Sequence, residues 1–207
     1  MQRIVPAILT QDSGELERLL DLFKNQSKWL HIDIMDGLFV PNTSINLFQL
    51  DGAYEYFNLE IHLMVKDPPK YFSDCREVGA KRVIFHAEAV ENKEEAVEAA
   101  KKHGLQVGIA TNPETDIADL GNSFDSLMIM GVHPGNQGHE FVATSLNKLK
   151  RAKEMYQGKL IGMDGGVSEE NVKQIFENGA DYVVIGSNIV QAKEPLDAFQ
   201  RFQSIIA

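Results

Sequence analysis

Cysteine is almost absent from this 207-residue chain. Cys75 is its one thiol, so no internal disulfide can form, which suits a reducing cytoplasm. Positive charge is also scarce. Lys and Arg number 20 against 30 Asp and Glu, a net charge of −10, which argues against a nucleic-acid partner because nucleic-acid phosphates need a basic footprint. A small phosphorylated ligand is still compatible with that balance, since backbone N–H groups and helix N-termini bind phosphate without side-chain charge. No apolar run approaches the roughly 20 residues of a membrane span, and residues 1–9 are too short for a signal peptide, so neither membrane nor secretion is expected. Low-complexity segments and linkers are missing too. Neither G-x-G-x-x-G nor G-x-x-x-x-G-K-[ST] occurs, which removes the usual nucleotide loops. With 43% hydrophobic and 24% charged residues, the expectation is one globular cytoplasmic domain spanning residues 1–207.

What is present is a regular alternation of strand and helix. Strands are expected over 3–9, 29–35, 59–65, 82–86, 105–110, 126–130, 159–163 and 182–185. Between them the helical pattern falls near 13–23, 46–57, 68–79, 92–103, 141–156 and 168–178, with a short helix after Pro113 and a closing one over 195–206. Cys75 falls in one of these patterns and reads as buried filler. The charged run over 91–102 reads as a solvated helix face. Eight such units in one domain close most simply into a parallel (β/α)₈ TIM barrel, whose active site lies where the strands end.

The strand ends are therefore the informative places. In the stretch 31–37 (HIDIMDG), side-chain alternation puts His31, Asp33 and Met35 on one face and Ile32 and Ile34 on the other. His62 and Met64 share a face of the third strand, the sixth ends at Met130, and the seventh ends at Asp164-Gly165-Gly166. Two histidines and two aspartates from three strand ends can converge on one divalent ion, and imidazole with carboxylate suits zinc, iron(II) or manganese.

These residues also carry a resemblance. The chain is similar to the ribulose-phosphate 3-epimerase family nearly end to end. The shared segments are residues 6–9 (PAIL), 31–42 (HIDIMDGLFVPN), 60–64 (EIHLM), Asn112-Pro113, 130–138 (MGVHPGNQG), 164–167 (DGGV) and Gly186-Ser187. The resemblance implies a ribulose-phosphate-binding barrel in which His31, Asp33, His62 and Asp164 hold the metal. It also implies that Asp33 and Asp164 act as a two-base pair inverting C3 of a ketose phosphate, D-ribulose 5-phosphate to D-xylulose 5-phosphate, through an ene-diolate. His62, Met35, Met64 and Met130 would line the sugar site. The phosphate would lie on the backbone of Gly135, Asn136, Gln137 and Gly138, of Gly165 and Gly166, and of Gly186 and Ser187. A phosphorylated ketose is thus the implied small-molecule partner, and a homo-oligomer the implied assembly.

Two positions depart from the family pattern. Ala7 stands where family members usually carry a serine that contacts the sugar, and the sixth loop reads PGNQGH rather than PGFGGQ. The catalytic set is kept while the substrate-reading parts are edited. Alternatives are therefore an epimerase for another ketose phosphate, such as a hexulose 6-phosphate, or a barrel that binds sugar phosphates without turnover. A related decarboxylase is disfavoured because the third strand has His62 and no Asp-x-Lys-x-x-Asp array. Asp36 is expected to hold its turn, His86 and Glu88 to be structural at the end of the fourth strand, and His133 and His139 not to be ligands.

Overall fold

Short, mostly apolar segments such as 4–8 (IVPAI), 126–130 (SLMIM) and 182–185 (YVVI) give strands buried on both faces, and such strands pair in parallel beneath covering helices. The computed structural model describes residues 3–135 and 141–207. Its strands are β1 (Ile4–Ile8), β2 (Trp29–Met35), β3 (Asn58–Met64), β4 (Arg82–His86), β5 (Gln106–Thr111), β6 (Ser126–Met130), β7 (Leu160–Asp164) and β8 (Tyr182–Ile185). They pair in sequence order, and β8 returns to β1 to close the barrel. The helices are α1 (Ser13–Phe23), α2 (Phe72–Glu77), α3 (Lys93–Lys102), α4 (Thr144–Met155), α5 (Val172–Glu177), α6 (Ser187–Val190) and α7 (Pro195–Ile205). Among the described residues no helix is long and apolar enough to cross a membrane.

The two faces of each strand meet different surroundings. Outward residues such as Ile4, Ile32, Ile34, Ile61 and Leu63 join the helices in one large core. Inward residues Val5, Ala7, Ile84, Ala110, Met128, Met130, Tyr182 and Val184 form a second cluster inside the barrel. The alternation read in 31–37 is therefore a real division between mantle and barrel interior. Cys75 is buried in the mantle, and burial pushes its thiol up to about 12, far from nucleophilic use.

Two expected helices are not formed. The segment 46–57 makes two 3₁₀ turns, Leu47–Leu50 and Ala53–Glu55, rather than one α-helix. Gly52 lies between them at φ 79°, a left-handed conformation that ends a helix. Asn46 and Gln49 cap the first turn reciprocally, so the local polar groups favour a short, closed turn. After Pro113 the chain forms no helix; it makes a turn from Asn112 to Thr115 and a second over 117–120. Helix α4 starts at Thr144, later than the pattern indicated, and α5 starts at Val172 after a Ser168–Asn171 turn.

Candidate active site

Register decides which side chains meet. Across β2 and β3, Asp33 stands opposite His62, Met35 opposite Met64, and His31 opposite Glu60. Across β6 and β7, Met130 stands opposite Asp164. Parallel pairing with inward-pointing alternate residues brings His31, Asp33, His62 and Asp164 into one cluster, with a donor atom of each within 4.8 Å of the others. The His62 Nδ1 lies 3.0 Å from Asp33 Oδ1 and 3.5 Å from Asp164 Oδ2. The His31 Nε2 lies 3.3 Å from Asp33 Oδ1 and 3.9 Å from Asp164 Oδ2.

That donor set fits a divalent cation. Ligands about 2.0–2.2 Å from one ion sit roughly 3–4 Å from one another, which matches these spacings. His31 Nε2 is moreover buried without a hydrogen-bond partner, although two carboxylates flank it. An orphaned lone pair facing anionic oxygens is what a ligand position requires.

The electrostatics point the same way. Burial alone would raise the Asp33 carboxyl, but hydrogen bonds and charge from His31 and His62 outweigh it and hold the group well below the usual carboxylate range. Burial would lower both imidazoles. Asp33 and Glu60 instead push His31 well up, and Asp164 and Asp33 push His62 up. The cluster therefore draws positive charge, whether protons or a metal.

Above it a cavity of about 450 Å³ opens at the C-terminal ends of the strands. Its wall includes Ala7, Asp33, Met35, Met64, Met130, Gly135, Asp164, Gly165, Gly166, Gly186 and Ser187, every one expected at the site. His31 and His62 lie behind that wall, fully buried. Asn136, Gln137, Gly138 and His139 lie outside the described residues. Among the described lining residues there is no lysine or arginine, while Asp33, Asp164 and Glu170 are acidic, so an anion here has backbone N–H groups and neutral polar side chains as its donors.

The glycine loops are held tightly. Gly165 and Gly166 adopt φ 94° and 68°, and a Cβ on Gly166 would come within 2.9 Å of the Phe141 backbone. Asn171 donates to the Gly166 carbonyl at 2.9 Å and Asn188 to that of Val167 at 2.7 Å. Across the mouth, Asn42 donates to the Gly135 carbonyl at 2.7 Å. Asp36 holds its turn as expected, accepting from the Leu38 and Phe39 amides and, through its other oxygen, from the Lys66 amide at 2.8 Å. His133 sits exposed against Glu114 at 3.0 Å, away from the cluster.

Several partners of the cluster are not among the site residues expected from the sequence, in which His86 and Glu88 read as structural. His62 Nε2 meets His86 Nε2 at 3.0 Å, and His86 Nδ1 lies 3.4 Å from Glu88 Oε2. On the other side, His31 Nδ1 meets Glu60 Oε1 at 2.7 Å, and Glu60 Oε2 meets Arg82 Nη1 at 2.6 Å. Phe141, Asn171 and Asn188 also line the cavity unpredicted. Strand periodicity places Glu60, Arg82 and His86 inside the barrel; what it lacks is the pairing across strands that joins them to the histidines.

Comparison with known proteins agrees with this geometry. Residues 3–190 match the ribulose-phosphate 3 epimerase family. A ribulose-phosphate 3-epimerase of Bacillus subtilis is 32% identical over 200 residues, covering 91% of this chain and 92% of that protein. A ribulose-phosphate 3-epimerase of Mycobacterium bovis is 34% identical over 206 residues, covering 94% and 89%. Among solved structures, a 3-hexulose-6-phosphate synthase superposes over the whole of both chains with a TM-score of 0.73 at 17% identity. A tryptophan synthase α-subunit of Pyrococcus furiosus does so over 99% of this chain and 97% of its own with a TM-score of 0.74 at 13% identity. These two likenesses speak for the barrel alone. The full-length sequence match, with its four-residue cluster at the strand ends, places the chain in the ribulose-phosphate 3-epimerase family.

Proposed function

We propose that this chain inverts C3 of a phosphorylated ketose, converting D-ribulose 5-phosphate to D-xylulose 5-phosphate, with His31, Asp33, His62 and Asp164 holding one divalent ion. The observation that carries the reading is the pair Asp33 and Asp164. They come from β2 and β7, both line the cavity, and each touches the same two imidazoles. A ketone bound between them presents one face of C3 to each carboxyl group.

A proton alpha to a ketone is weakly acidic, so its removal needs a close base and stabilisation of the charge that develops. The bound ion, suited by its nitrogen and oxygen donors to zinc, iron(II) or manganese, supplies that stabilisation as a Lewis acid. Asp33, held ionised by the two imidazoles, takes the C3 proton; the C–H electron pair becomes the C2–C3 double bond of an ene-diolate as the C2 carbonyl π pair moves onto its oxygen. Asp164, carrying a proton, delivers it to the opposite face of C3. Turnover leaves Asp33 protonated and Asp164 ionised, so the reverse reaction runs with the roles exchanged.

Met35, Met64 and Met130 ring the reacting carbons with surface that can neither donate nor take a proton. This keeps proton traffic on the two carboxyl groups. The backbone around Gly135, Gly165, Gly166, Gly186 and Ser187 receives the phosphate, consistent with the lack of lysine and arginine among the described lining residues. The test is proton NMR of D-ribulose 5-phosphate in D₂O with metal-loaded protein. Loss of the C3 proton signal together with appearance of the xylulose epimer supports the assignment. With bound metal verified, no exchange overturns it for this ketose and moves the trial to hexulose 6-phosphates.

A further inference from the structure

The floor of the barrel, below the cavity, holds a charged group with no evident structural reason. Glu60 on β3, Arg82 on β4 and Tyr182 on β8 are all 2% exposed or less. Glu60 Oε2 accepts from Arg82 Nη1 at 2.6 Å and from the Tyr182 hydroxyl at 3.2 Å. The guanidinium lies 4.7 Å from the Trp29 ring and 5.6 Å from the Tyr182 ring. Room for that tyrosine depends on Gly162, its partner across β7 and β8, where a Cβ would come within 2.7 Å of the phenol ring.

A buried ion pair of this kind is a poor way to gain stability. Exchanging such a pair for apolar side chains of similar volume is often neutral or stabilising, because both charges lose their hydration. The trio therefore calls for another role, and Glu60's second oxygen supplies one. Oε1 meets His31 Nδ1 at 2.7 Å, while the opposite ring nitrogen, Nε2, is the orphan that faces Asp33 and Asp164.

We infer that Glu60, anchored by Arg82 and Tyr182, is a positioning residue that keeps the His31 proton on Nδ1 and turns the Nε2 lone pair toward the four-residue cluster. Arg82 and Tyr182 occupy Oε2, so only Oε1 is left for the imidazole, and Arg82's permanent charge keeps Glu60 a carboxylate. A carboxylate behind a ligating histidine fixes the ring's tautomer and orientation and makes it a stronger donor. The inference rests on the reading that the cluster binds a divalent ion.

The experiment compares the full-length chain with Glu60→Leu/Arg82→Met, which removes both charges together, using zinc alone as the probe. Zinc affinity is measured by chelator competition and thermal unfolding on the same metal-free samples. The expected result is a double variant that unfolds at the same temperature or higher yet binds zinc about 10–100-fold more weakly. Equal zinc affinity in the folded double variant overturns the inference. Long-range ¹H–¹⁵N correlation on the zinc-loaded unmodified chain gives an answer that needs no variant. His31 protonated at Nδ1 and metal-bound through Nε2 supports the inference, and the reverse arrangement overturns it. Failure of the unmodified chain to take up zinc would instead count against the metal reading itself, so the two failures are distinguishable.

Discussion

His62 and His86 face each other through their Nε2 atoms at 3.0 Å, with the rings within 19° of parallel. Two imidazole nitrogens at that distance share one proton, so one donates and the other accepts. His62 turns its Nδ1 to Asp33 and Asp164; with Nδ1 given to the proposed ion, the ring's proton sits on Nε2 and His86 is the acceptor. Burial lowers His86, and although Glu88 opposes this, the facing His62 adds to it, which favours the neutral acceptor. His86→Phe keeps the packing against Phe39 but removes that acceptor. We expect metal affinity and turnover to fall about 10–100-fold, read by metal content after dialysis and by kcat. Unchanged metal retention would mean that His86 does not orient His62.

The proposed mechanism gives Asp33 and Asp164 opposite faces of C3, so their single variants are expected to fail asymmetrically. Asp33→Asn and Asp164→Asn should each lower inversion by about 10²–10⁴-fold, the usual contribution of a positioned acid or base. Each variant still has one working carboxylate and should exchange the C3 proton of only one epimer with D₂O. Proton NMR started from each epimer separately reads this. Equal exchange from both epimers in either variant would sink the sided assignment.

Much of this site is legible in the sequence. The His31-x-Asp33-x-Met35 alternation fixes which residues enter the barrel, because strand side chains alternate strictly. Closure of eight strands then brings the ends of β2, β3 and β7 together. Residues 46–57 were misread because apolar spacing fits one helix there, while Gly52 and the Asn46–Gln49 cap, both local, divide it into two turns. Glu60, Arg82 and Tyr182 were illegible for the opposite reason. Their partners lie 22 to 122 residues apart in sequence, and only the β3–β4 register together with closure of the barrel, which brings β8 across the interior, joins them.

Ala7 tests how the sugar is read. It lies on the cavity wall, 2% exposed, and brings no hydrogen-bonding group. Ala7→Ser adds one hydroxyl beside the sugar site, and one net hydrogen bond is worth about 0.5–1.5 kcal/mol. For D-ribulose 5-phosphate we expect KM to fall about 2- to 10-fold with kcat changed less than about twofold. Steady-state kinetics on the unmodified chain and on Ala7→Ser reads the split. A rise in KM would show that this wall is shaped for a different sugar.

Acid sensitivity should localise in part to Glu88. Its Oε1 accepts from the Asn112 amide at 2.8 Å and from the Thr115 hydroxyl, and its Oε2 faces His86. Burial would raise this carboxyl, but His86, Thr115 and Asn112 outweigh it and hold it at about 2, against an ordinary 4.5. The folded protein therefore binds fewer protons here than the unfolded chain between those two values. The resulting stability is fully present above about pH 4.5 and is lost as pH falls toward 2. After allowing for partial solvent exposure, its size is roughly 2 kcal/mol. Glu88→Gln removes the titration and keeps a hydrogen-bonding side chain. In urea unfolding at pH 5, 4 and 3, the variant should be the less stable protein at pH 5, and the gap should narrow as the pH drops. Other buried carboxylates slope both curves alike, so the narrowing belongs to Glu88. A gap that stays constant across that range would show that Glu88 titrates as an ordinary glutamate.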